Sequence, residues 1–214
     1  MTAPAHSFVV RLVAGSHQHI VFFGTSLTAE GAWVPQVLAA LQERFPGQVS
    51  FSNGAEPGMH SRWGLENLEG RVLAHAPDVV FIEFSVNDAC ARFGITMEEA
   101  RSNLESMLDR IRARHPDCKV ILQVMNPVLD RPLGHTGHRP HLDHYQQGYR
   151  QIGRERGLLV IDHMPAWSSL LERDLNAFRT WVPDGLHPQA EGYAQLVTPE
   201  ILRRLGVSRR ESNE

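Results

Sequence analysis

Short stretches that are apolar at nearly every position alternate along this chain with longer ones whose apolar residues recur at helical spacing. Residues 20–23, 79–84, 119–125 and 158–161 are of the first kind, with a shorter run at 49–51. Residues 8–13 alternate weakly and predict one more short strand. Helical spacing fills 31–45, where Trp33, Val34, Val37, Leu38, Leu41 and Phe45 share a face until Pro46-Gly47 stops the run. It fills 62–74 through Leu65, Leu68, Val72 and Leu73, and 97–115 through Leu104, Met107, Leu108 and Ile111. Further helices are predicted around 145–156 and 167–178 and over 189–205. Strands that are apolar throughout are buried on both faces, as when helices cover a parallel sheet from both sides. The pattern therefore predicts one α/β domain over 1–206 with about five parallel strands, then a polar tail at 207–214.

Composition excludes more than it selects. The formal net charge is −3, and Lys119 is the only lysine, so no basic stripe points to nucleic acid. No apolar run reaches the roughly 18–20 residues that span a bilayer. The N-terminal stretch lacks a basic leader region, and Arg11 and the polar segment 15–19 break its apolar residues. It does not read as a signal peptide, and a cytoplasmic protein is expected. Cys90 and Cys118 form neither a disulfide framework nor a metal-spaced pair.

In sheets of this kind, sites form outside the carboxyl ends of strands. Four polar loops fall there or just before the last helix: GTSLT after 20–23, NGAEPG after 49–51, SVND after 79–84, and DGLHP at 184–188. Ser26 in the first loop reads either as a turn residue at a helix cap or as a nucleophile displayed at a strand end. In the fourth, Pro188 suits the first turn of a helix and pushes His187 out of helical conformation, which leaves its ring free. Asp184, in a tight Asp-Gly turn, is near enough to accept from the imidazole Nδ1. That leaves Nε2 to take a proton from a hydroxyl. The same residues also read as a plain turn before a helix. An ester attacked by Ser26 needs donors for its developing negative oxygen. The N–H groups of Gly58 and Ser26 and the amide of Asn87 can supply them. Gly58 reads equally as a turn residue after Pro57, and Asn87-Asp88 as a turn dipeptide.

Taken in order, FFGTSLT, NGAEPGMHS, FSVND and DGLHP resemble the four blocks of the SGNH (GDSL-like) hydrolase family, over about 20–205. The resemblance implies a flavodoxin-like, three-layer α/β/α fold. It implies Ser26 as nucleophile, His187 as base and Asp184 as orienting acid, with an oxyanion hole from Ser26 N–H, Gly58 N–H and Asn87 Nδ2. It further implies an esterase that works through an acyl-enzyme on a small-molecule ester, with no cofactor and no metal. Family members include carbohydrate acetylesterases, lysophospholipases and thioesterases. Nothing in the chain suggests an extended apolar lid for a long acyl tail, so short acyl groups such as acetyl on a sugar are expected. Two positions depart from the family. Its first-block Asp, which braces the loops around the nucleophile, is Thr25 here, and its third-block Gly is Ser85. These departures support a rival reading as a catalytically inactive binding protein. Ser85 itself has no adjacent base in its loop to activate it.

Supporting roles follow from position. Glu83, alone in an apolar strand, is expected to be a hydrogen-bonded strut. Asp88 is expected to brace the loop that aims Asn87, and Asn53 to hold the Gly58 loop. His135, His138, His141 and His144 recur every three residues, but Gly137 and Pro140 interrupt any helix, so no metal site is expected. Their loop reads as a pocket rim where Arg139 or His141 touches substrate. Trp33, Trp63, Trp167 and Trp181 read as packing.

Overall fold

The computed structural model describes residues 7–129, 135 and 137–207. The polar tail lies outside the described residues from 208 onward. A parallel five-stranded sheet forms the centre, with strands β1 (Gln18–Gly24), β2 (Val49–Asn53), β3 (Val79–Glu83), β4 (Lys119–Val124) and β5 (Leu159–Asp162) in the order β2-β1-β3-β4-β5. This is the doubly wound, three-layer α/β/α arrangement that the resemblance implies.

Successive side chains on a strand point to opposite faces. Ile20 and Phe22 of β1 therefore join Phe81, Ile121 and Ile161 beneath one helical layer. That layer is built from α1 (Ser7–Val13), α3 (Trp33–Arg44), α8 (Met164–Arg173), α9 (Leu175–Trp181) and α11 (Thr198–Leu205). Val21 and Phe23 join Val80, Ile82 and Leu122 beneath the other, formed by α4 (Ser61–Arg71), α6 (Met97–Arg114) and α7 (Leu142–Arg156). Two very short helices sit at strand ends: α2 (Ser26–Ala29) after β1 and α5 (Ser85–Asp88) after β3. None of the helices among the described residues is long and apolar enough to cross a membrane.

Three expectations need correction. Residues 8–13 are not a strand but lie in α1. Phe8, Val9 and Leu12 are buried, while Val10 and Val13 are 54% and 69% exposed. Burial at 8, 9 and 12 is helical spacing, which two adjacent valines disguised as alternation. The helix expected over 167–178 is two helices, parted at Asp174, whose Oδ1 caps α9 by accepting from Ala177 N at 2.9 Å. The final helix is interrupted: α10 (Ala190–Gly192) leads into a π-helical turn, Tyr193–Val197, before α11 begins. Pro199 has no N–H for the carbonyl one turn back, so the ladder changes register ahead of it.

The register sets up the site. Phe22 faces Asn53 on one side of β1, and Gly24 faces Glu83 on the other. The carboxyl ends of β2, β1 and β3 thus lie side by side, and the strand order reverses at β1, where such sheets open a crevice.

Candidate active site

β1 ends at Gly24, where a side chain would not fit. A Cβ there would fall 2.5 Å from Glu83 Oε1 and 2.6 Å from the Glu83 carbonyl oxygen. Without that side chain, the buried Glu83 carboxylate reaches the turn that follows. Its Oε1 accepts from Thr25 N (2.7 Å), Thr25 Oγ1 (2.8 Å) and Thr28 Oγ1 (2.9 Å). Burial pushes the Glu83 carboxyl up to about 7, against the opposite pull of these donors. Thr25 Oγ1 also accepts from Leu27 N at 3.2 Å, the cap of α2. Trp33 Nε1, at the start of α3, and Tyr193 Oη, from the π-helical turn before α11, donate to Leu27 O at 2.8 and 3.3 Å. α2 is fixed at both ends, and Ser26 stands at its first position.

Ser26 Oγ lies 2.8 Å from His187 Nε2. On the far side of the ring, His187 Nδ1 lies 2.5 Å from Asp184 Oδ2. The other carboxylate oxygen of Asp184 accepts from Leu186 N (2.9 Å) and His187 N (2.7 Å) across Gly185, whose φ of +80° closes the turn. Burial pushes the Asp184 carboxyl up, but the bonds from the His187 ring and from these two N–H groups outweigh it and hold it below its ordinary value. An ionised Asp184 keeps a proton on Nδ1 and leaves Nε2 as acceptor for the serine hydroxyl. This loop is held from β4's side. Leu129 N donates to Gly185 O at 2.8 Å, and buried Asn126 donates through Nδ2 to Leu186 O at 2.9 Å.

The opposite wall comes from the loop after β2. Glu56 N donates to Gly24 O at 3.1 Å, tying that loop to the end of β1. Asn53 Oδ1 accepts from Ala55 N at 3.2 Å, and its Nδ2 reaches Ala29 O at 3.4 Å. Gly58 has φ of +75°, in the left-handed region that side chains disfavour. Among the described residues, neither Ser26 N–H nor Gly58 N–H meets an acceptor. Asn87, in α5, gives one Nδ2 hydrogen to Met59 O at 2.8 Å, and its Oδ1 takes Arg139 Nη2 at 3.4 Å. With the amide oxygen held by a guanidinium and one hydrogen by a carbonyl, the second Nδ2 hydrogen stays available. Asp88 Oδ1 accepts from Ser61 N at 2.7 Å, which bonds α5 to the start of α4. Burial raises the Asp88 carboxyl to about 7.

Ser26, His187 and Asp184 thus form one hydrogen-bonded chain, and the Gly58 and Asn87 loops join at Met59. Glu83 is the strut expected of it. Ser85 is buried, and no base is bonded to it among the described residues. It lines a cavity of about 370 Å³ between α6 and α7, shared with Asp88 and Tyr149 but not with Ser26 or His187. Arg139 bonds Val86 O, Gly137 O and Asn87. His141 stacks on His144 at 5.4 Å. Among the described residues no three metal-capable side chains gather. Trp33 and Trp167 are fully buried, while Trp63 and Trp181 are partly exposed and pack against Phe23 and Trp167.

Two supports escaped the sequence. Tyr149 Oη accepts from Phe84 N at 2.9 Å, beneath α5, and Asn126 clamps the His187 loop. Asn126 had a signal, as the first polar residue after an apolar strand; Tyr149, mid-helix, had none.

Comparison with known proteins agrees with this architecture. A model of the GDSL-like lipase/acylhydrolase family matches residues 22–195. An arylesterase from Vibrio mimicus is 26% identical over 208 residues, covering 92% of this chain and 95% of the relative. The crystal structure of an acetylxylan esterase from Geobacillus stearothermophilus superposes with a TM-score of 0.75 at 22% identity, over 90% of this chain and 96% of that one. A GDSL-like lipase structure from Parabacteroides merdae gives 0.74 at 20% identity, over 90% and 97%.

Proposed function

The chain belongs to the GDSL-like lipase/acylhydrolase family and is a carboxylic ester hydrolase; from that premise we propose that Ser26 is its nucleophile, His187 its base and Asp184 the acid that orients the base. As Ser26 Oγ bonds to the ester carbonyl carbon, its proton passes to His187 Nε2. The carbonyl oxygen becomes an oxyanion and takes hydrogen bonds from Ser26 N–H, Gly58 N–H and Asn87 Nδ2. The carbon–oxygen bond to the alcohol then breaks, and the departing oxygen takes the proton from His187. Water, losing its proton to His187, attacks the acyl-enzyme. The acid leaves, and Ser26 recovers its proton. Thr25, Asn53 and Asp88 support this site by holding its loops. No step calls for a metal or cofactor. We also read residues 1–206 as one domain.

The observation that carries this reading is the continuous bond chain from Ser26 Oγ through His187 to Asp184, at 2.8 and 2.5 Å. A base already bonded to the hydroxyl also weighs against an inactive binding protein. The substrate we propose is an ester of a small acyl group, such as acetyl on a carbohydrate. Support comes from relatives described as an arylesterase and an acetylxylan esterase. Hydrolysis of para-nitrophenyl acetate by wild type and Ser26→Ala tests the chemistry, and loss of three or more orders of magnitude in kcat is expected, by roughly the scale of triad removals. An acyl-length series tests the substrate: rates should fall from acetyl to long chains, and a steady rise would reverse the short-acyl reading.

A further inference from the structure

Arg92 stands over the Gly58 wall of the site. Among the described residues beyond the chain neighbours of Gly58, its Nη2 alone comes within 4 Å of where a Cβ on Gly58 would lie, at 3.8 Å. The guanidinium is not loose at that point. Its Cζ lies 4.4 Å from the centroid of the Phe93 ring, and that ring packs on His60 at 4.6 Å. His60 is fixed in turn as the cap of α4, accepting from Trp63 N at 3.3 Å. Burial, helped by Arg62 and Arg92 and opposed by Glu66 and Glu99, keeps the His60 ring below its ordinary value. Among the described residues no carboxylate pairs with Arg92. Behind it, the turn Ala91–Phe93 is bonded through Ala91 N to His138 O at 2.8 Å.

A stacked, pre-oriented and unneutralised guanidinium presents a fork of donors suited to a planar anion. Its side-chain entropy is already partly spent on the aromatic platform. Exposed arginines elsewhere on the chain, such as Arg112 and Arg114, face no such site. We infer that Arg92 is a specificity-determining residue that binds an anionic group, carboxylate or a similar oxyanion, carried by the substrate close to its ester carbonyl. This inference rests on the proposed serine-esterase site, because it places the anion relative to Gly58 N–H. The anion can sit on the acyl part or on the alcohol part, and the test separates the two.

Two matched pairs of esters make the test. Para-nitrophenyl hemisuccinate against para-nitrophenyl succinamate puts the charge on the acyl side. Para-acetoxybenzoate against para-acetoxybenzamide puts it on the alcohol side. The quantity read is the ratio of kcat/KM, anionic to neutral, in wild type, Arg92→Ala and Arg92→Lys, with thermal unfolding to confirm that each variant is folded. The wild-type ratio should exceed that of Arg92→Ala by about tenfold to a hundredfold in one pair, the usual worth of a charge-assisted contact. Arg92→Lys should fall between, keeping the charge and losing the fork. Wild type inactive on all four esters would sink the esterase reading and this one with it. Wild type active on the neutral esters, with both ratios unmoved within about twofold by Arg92→Ala, would overturn this inference alone. So would an equal loss on neutral and anionic esters, which is the mark of a residue acting on the oxyanion rather than on a substrate charge.

Discussion

Thr25 gives both its backbone N–H and its hydroxyl to one oxygen of Glu83, at 2.7 and 2.8 Å. The first family block carries an Asp at this position, a charge on the nucleophile turn itself. Here the turn carries a hydroxyl, and the charge arrives from β3 across the Gly24 gap. Thr28 adds a third bond to the same oxygen. Strut and turn are therefore one hydrogen-bonded unit.

Removing that carboxylate should loosen the turn. Glu83→Ala leaves three donors without their acceptor and opens a buried cavity. A loss of roughly 3 kcal/mol in unfolding free energy is expected. A fall in kcat of about tenfold or more should accompany it, since misplacing Ser26 slightly is costly. Denaturant unfolding and ester hydrolysis on the same preparation check both.

The same residue makes stability depend on pH. Burial sets the Glu83 carboxyl at about 7 in the folded protein against an ordinary 4.5. The folded state therefore holds the proton more tightly than the unfolded one. Its contribution is fully present below about 4.5 and is lost as pH rises through about 7. Wild type should lose on the order of 3 kcal/mol of unfolding free energy across this window from this group, and Asp88 acts in the same direction. Glu83→Gln should shrink the fall without abolishing it, as read by denaturant midpoints on either side of the window. The proton has a place to go: Glu83 Oε2 is buried without a partner among the described residues, so protonation there leaves all three bonds to Oε1 intact.

Asn87 offers a cleaner separation of binding from chemistry. If, as proposed, its second Nδ2 hydrogen serves the developing oxyanion, Asn87→Ala should lower kcat by about a hundredfold to a thousandfold with KM little changed. A rise in KM at constant kcat would place Asn87 in ground-state binding instead.

Asp184→Asn tests orientation apart from folding. The amide can still accept from Leu186 N and His187 N, so the turn should persist. The partner of Nδ1 loses its charge, and the ring can adopt the wrong tautomer. A fall in kcat of about three to four orders of magnitude is expected, with the unfolding midpoint close to wild type.

Much of this was legible in sequence, for identifiable reasons. β3 and β4 are apolar at most positions, with Glu83, Lys119 and Gln123 the exceptions, because helices cover both faces, and such runs are hard to mistake. Ser26, Gly58 and Asn87 fall just after the ends of β1, β2 and β3, where a doubly wound sheet gathers its chemistry, and Asp184 and His187 fall in a polar turn before the final helices. α1 was hidden because Val9 and Val10 imitate a strand and the helix spans only seven residues. The break before α11 was hidden because helical spacing continues through it, and only Pro199 marks the change. Arg92 and Tyr149 could not be read at all. Their placement rests on neighbours distant in sequence, Arg92 beside Gly58 and Tyr149 bonded to Phe84, and no local pattern records such a pairing.

The central claim is that Ser26 is an activated nucleophile. Its most direct test is labelling of the folded wild-type protein with a serine-directed fluorophosphonate, followed by peptide mass spectrometry. One phosphonyl adduct is predicted, on Ser26, abolished in Ser26→Ala and strongly slowed in His187→Ala. An unlabelled wild type, or an adduct on Ser85 in place of Ser26, would contradict the account.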